Sequence, residues 1–87
     1  MPIPENISQK HILQAISKIN TEGIPPKRKL KKWALEYEGE NYPCKLIISY
    51  ANIYANGDEL DPNPNIFTTY LAQSYLTKKG FKITLSH

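Results

Sequence analysis

The sequence predicts a small α+β domain: a three-stranded antiparallel sheet with about three helices, in the order α-β-β-α-α-β. Three observations carry this. Apolar residues recur at helical spacing in three separate stretches. Two short stretches, Trp33 to Tyr37 and Phe81 to Leu85, alternate instead with strand periodicity. Between them, single glycines and prolines fall where such elements must stop. Runs of strands and helices that do not alternate regularly point to an antiparallel sheet with helices packed on it.

The first helix is expected from about Ile7, capped by Asn6 with Gln9 completing a capping box. Ile12, Ala15, Ile16 and Ile19 form its inward stripe, and Gly23 with Pro25 and Pro26 ends it. Trp33, Leu35 and Tyr37 are the inward set of the first strand, with Ala34 and Glu36 outward. "EGE", Glu38 to Glu40, makes a hairpin turn into a brief second strand at Asn41 and Tyr42. Pro43 opens a helix from Cys44 to Asn56, which Gly57 stops. This helix is expected to be the most buried. After "DELDPNPN", with Asn65 as a cap, a third helix runs from about Ile66 to Lys79, with Phe67, Tyr70, Leu71 and Tyr75 inward. Phe81, Ile83 and Leu85 close the sheet beside the first strand.

Residues 1–87 read as one domain, with no room for two cores. No apolar run approaches the ~18 residues that span a bilayer. A single cysteine, Cys44, makes no internal disulfide, so a reducing, cytoplasmic setting is expected and no membrane partner.

Reactive chemistry is thin. The two histidines are a helix residue, His11, and the last residue, His87. There is no Cys-x-x-Cys, no His-Glu-x-x-His and no glycine-rich phosphate loop. "DPNPN" begins like a calcium loop, but Ile66 stands at the glycine position and Ala72 at the glutamate position. Cys44, at a helix N-terminus beside a lysine, has the setting of a lowered thiol pKa, though no base stands near it in sequence; burial in the first turn is the other account. These features predict no enzyme activity, no catalytic residue, no metal and no cofactor.

The informative feature is charge. The net charge is only +3, yet five cations lie within six residues, Lys27, Arg28, Lys29, Lys31 and Lys32. Without that run, six cations face eight acids. A localised basic patch suits a polyanion surface, whereas a solvated charged loop is the plainer account. Leu30 and Trp33 would pin the segment to the core. Lys45 adds a cation in the first turn of a helix, where it opposes the macrodipole. It either bridges to Glu38 or Glu40, or it joins the helix amides in holding a phosphate. Arg28 has the planar fork that bonds phosphate or guanine bidentately. Trp33 and Tyr42 are either core aromatics or platforms for an unpaired base.

These residues fall in a pattern. Arg28, Trp33, Leu35, Gly39, Tyr42, Pro43 and Lys45, then Gly57, Leu60, Phe67, Leu76, Gly80, Phe81 and Ile83, follow in order. The run resembles the N-terminal head domain of McrA-type modification-dependent HNH restriction endonucleases over nearly the whole chain. Trp33 stands where that pattern has tyrosine, and Cys44 where it has proline or serine. The resemblance implies a DNA-defence setting, and a longer native polypeptide could carry the HNH nuclease. Together with the charge, it leads to a non-catalytic DNA-binding or DNA-positioning module. Its expected partners are double-stranded DNA, modified or unmodified, and a nuclease domain or subunit. The alternative is a protein-interaction module, for docking or dimerisation of a nuclease, with an exposed patch built from Tyr50, Tyr54 and Tyr70.

Overall fold

In the computed structural model the elements follow the expected α-β-β-α-α-β order, described over residues 3–28, 33–61, 63 and 65–85, with the backbone alone for Lys27. Helix α1 spans Gln9–Glu22, and a single 3₁₀ turn spans Pro26–Arg28. The hairpin strands are β1, Trp33–Tyr37, and β2, Glu40–Pro43. Helix α2 is Cys44–Asn56, helix α3 is Thr69–Lys78, and strand β3 is Lys82–Leu85. The sheet order is β2-β1-β3, with both pairings antiparallel.

Helix α2 organises the core. It packs against α1 on one side and against α3, β1 and β2 on the other. Cys44 and every residue from Leu46 to Asn52 are buried, as expected of a helix enclosed nearly all round. Its two buried polar side chains have partners. Ser49 Oγ donates to the Leu60 carbonyl at 2.8 Å, and Asn52 Nδ2 donates to the Asp58 carbonyl at 2.8 Å. The loop after α2 is therefore folded back onto the helix it leaves. Leaving such groups unpaired would cost roughly 1–3 kcal/mol each.

The hairpin joins Tyr37 to Glu40 through two residues. Both central residues have positive φ, 51° at Glu38 and 82° at Gly39, the sign pattern of a type I′ turn. Glycine accepts that conformation freely; glutamate does not. Replacing Glu38→Asn, the residue type this turn favours, is expected to stabilise the domain by ~0.5–1 kcal/mol, or roughly 2–8 °C in Tm. A lower melting temperature would contradict the turn assignment.

Several boundaries differ from the sequence expectation. Helix α1 starts two residues later, because the Ser8 amide donates to His11 Nδ1 at 3.0 Å and closes the cap there. Asn6 instead pairs side chain to side chain with Asn56, at 2.7 and 3.0 Å. Pro43 ends β2 and occupies the cap position of α2 rather than its first turn. Helix α3 begins at Thr69, since Thr68 Oγ1 accepts the Leu71 amide at 3.2 Å. Asn65 is used upstream, its amide donating to Asn63 Oδ1 at 2.9 Å.

The inward face of α3 also differs from the expectation. Ala72 and Leu76 are fully buried, while Tyr70, expected inward, is 76% exposed. In β1 the expected alternation also fails at one end. Ala34 is buried because it lies mid-sheet, flanked by Pro43 and Thr84, while Trp33 is 41% exposed. Helix α3 ends in a Schellman motif: the Gly80 amide donates to Thr77 and the Phe81 amide to Leu76. Gly80 supplies the positive φ, 93°, that this stop requires, and Phe81 is delivered to the start of β3.

Candidate functional site

The N-terminal half of α2 brings together two of the charged residues singled out in the sequence, Arg28 and Lys45. Lys45 and Ser49 are one helical turn apart and share a face of α2. Arg28 reaches that face from the 3₁₀ turn, its Nη2 donating to Ser49 Oγ at 3.0 Å. The guanidinium is thus placed within about one helical turn of the Lys45 backbone. Ser49 relays the contact onward to Leu60, so one hydroxyl ties the 3₁₀ turn, α2 and the loop after it.

Lys45 is held from the other side. Its Nζ stands 4.8 Å from the centroid of the Phe67 ring, a cation–π distance. Phe67 is fully buried just ahead of α3, so its ring is a fixed platform for the ammonium. Trp33 lies at the same end of the sheet. Its carbonyl faces the Cys44 thiol at 4.0 Å, one residue from Lys45. The structure therefore brings Arg28, Trp33 and Lys45 to one end of the domain.

It does not bring Tyr42 there. Tyr42 is buried in the core, and its hydroxyl donates to Asn20 Oδ1 of α1 at 2.7 Å. Its ring packs inside, which is the core alternative for that aromatic. Lys27 is described by its backbone alone, and Lys29, Leu30, Lys31 and Lys32 lie outside the described residues. The chain on both sides of that segment, Arg28 and Trp33, borders the site. The tyrosines of the alternative reading do not share one state: Tyr50 is buried beneath Lys18, while Tyr54 and Tyr70 are exposed.

Cys44 takes the opposite course from a reactive thiol. Burial pushes its pKa up from 9.0 to about 11, outweighing the backbone hydrogen bonds that lower it. The folded state therefore keeps the proton where the unfolded chain would release it. This contribution to stability is complete below pH ~9 and is lost as pH rises towards about 11. Wild type is expected to lose more stability over that interval than Cys44→Ala in parallel denaturant titrations. A thiol reagent at pH 8 should label Cys44 only on unfolding; rapid labelling of native protein would contradict its burial.

In the "DPNPN" loop, Asp61 Oδ1 and Asn63 Oδ1 accept backbone amides two residues on, at 3.0 and 2.9 Å, forming Asx turns. Among the described residues no group of three His, Cys, Asp or Glu side chains is placed to hold a metal ion. No helix of the described residues is long and apolar enough to cross a membrane.

Two members of this site were not foreseen. Ser49 anchors Arg28 and Phe67 seats Lys45. The only sequence signal was position, since Ser49 is the one small polar residue in the apolar stretch 46–51, four residues after Lys45.

No protein-family model matches the sequence, and no curated protein does. A solved structure does match: the Type IV phosphorothioation-dependent restriction endonuclease ScoMcrA, with a TM-score of 0.66 and 25% sequence identity. The match covers 95% of this chain and 14% of that one. It supports a relation between this chain and a segment of that endonuclease.

Proposed function

We propose that this domain is a non-catalytic DNA-binding or DNA-positioning module of a restriction-type defence system, equivalent to the head domain of McrA-type endonucleases. The observation that carries the reading is that Arg28 is bonded to Ser49, one turn along α2 from Lys45, in a sequence that packs five cations between Lys27 and Lys32. The likeness to a restriction endonuclease supports the same setting. Arg28, Lys45, Lys27, Lys29, Lys31 and Lys32 bind backbone phosphates, which positions the domain without reading sequence. Trp33, exposed at the same end, lies against a sugar or an unpaired base. Cutting belongs to a separate nuclease domain or subunit, and the module acts in the cytoplasm on modified or unmodified duplex.

The alternative, a docking or dimerisation module whose lysines meet an acidic partner, draws on the 76% exposure of Tyr70. Amide NMR with a short duplex separates the two. The reading expects shifts centred on Arg28, Trp33, Lys45 and Ser49. Shifts centred on Tyr54 and Tyr70, or none at low salt, favour the alternative.

A further inference from the structure

At the far end of the sheet lies a second surface that the DNA-facing reading leaves unused. Strand β1 starts at the basic end and runs five residues to the hairpin turn, a separation of about 13 Å. There, α1, the hairpin and the junction of α3 with β3 enclose an open groove of about 380 Å³. Its apolar wall is formed by Leu13, 40% exposed, and by the rings of Tyr37 and Phe81, whose centroids are 6.2 Å apart at 54°. Its rim carries Glu36 and Glu38, and Glu40 follows at the turn. Lys82 reaches Glu36 at 3.6 Å, but its side chain is 69% exposed. A surface pair of that kind contributes little and exchanges readily for another cation.

We propose that this groove docks an extended segment of a partner protein that carries an apolar side chain flanked by lysine or arginine. Charge decides the class of occupant. A carboxylate rim repels phosphate, so the groove does not extend the surface around Arg28 and Lys45. An apolar wall beside carboxylates complements a side-chain anchor with neighbouring cations. The domain then has two ends with separate tasks: one meets a polyanion, and the other attaches the module to a protein. The groove is preformed, because the Schellman stop at Gly80 and the Gln9 side chain, donating to the Lys79 carbonyl, fix its walls.

The test is an amide NMR titration with the peptide acetyl-Lys-Leu-Lys-Phe-Lys-amide, against acetyl-Glu-Leu-Glu-Phe-Glu-amide as control. The basic peptide is expected to shift Leu13, Tyr37, Glu38, Gly80 and Phe81, and the acidic peptide is not. Leu13→Ser and Glu38→Lys are each expected to weaken binding by roughly five- to tenfold. Glu38 is exposed in the turn, so its variant keeps the test valid should Leu13→Ser fold poorly. Lys45→Gln is expected to leave peptide affinity unchanged. No shifts at millimolar peptide, equal response to the acidic peptide, or full affinity in Glu38→Lys would overturn the proposal.

Discussion

Charge reversal at Arg28 and Lys45 together is expected to weaken binding to a short duplex by roughly 60- to 100-fold at ~0.1 M salt. The magnitude follows from counterion release: each lost phosphate contact removes about 0.9 from the log–log salt slope. Two contacts flatten the slope by about 2, and repulsion from the new carboxylates adds the remainder. Arg28 also has a structural role through Ser49, so loss of fold must be separated from loss of charge. Ser49→Ala does this. It removes the anchor of Arg28 and the donor to Leu60 while leaving every charge in place. It should lower stability by ~1–2 kcal/mol and leave the salt slope unchanged. If Ser49→Ala flattens the slope as much as the charge reversal does, the effect is one of folding and the phosphate surface is wrongly placed.

Phe67→Ala is the substitution expected to cost most stability. The ring is fully buried, and truncating such a side chain costs ~3–5 kcal/mol through lost transfer energy and the cavity left behind. In a domain of this size that lowers Tm by at least ~12 °C. Phe67 has a second task, because its ring lies beneath the Lys45 ammonium. Phe67→Leu separates the two: most of the volume stays while the π face goes. That variant should remain folded at an expected cost of about 1.5 kcal/mol. Its duplex affinity should fall only a few-fold, since the charge of Lys45 survives and only its placement loosens. A Tm for Phe67→Ala within a few degrees of wild type would contradict the packing described for this residue.

The two ends of α2 were legible because the chain marks them twice. Pro43 excludes a helix before it, and Gly57 supplies the left-handed stop after it. The start of α3 was not legible: Asn65 is the expected cap, whereas Thr68 caps the helix through the Leu71 amide. Tyr70, expected inward, is exposed, while Ala72 and Leu76 form the buried face. The same limit applies at the site. The basic run and Lys45 could be read as charge, but the Arg28–Ser49 bond spans 21 residues and no local pattern encodes it. Tyr42 sits in a strand where either direction is possible, and Asn20 on α1 decides for the interior. At Cys44, position at a helix N-terminus suggested an acidic thiol, and burial made a weaker acid.

The central claim is that one end of this domain binds phosphate. Fluorescence anisotropy of a labelled duplex, unmodified and cytosine-methylated, titrated at two salt concentrations, tests it most directly. With ~4–6 phosphate contacts, the account predicts binding whose log–log slope against salt is roughly −4 to −5. No binding at low salt, or binding indifferent to salt, would contradict it.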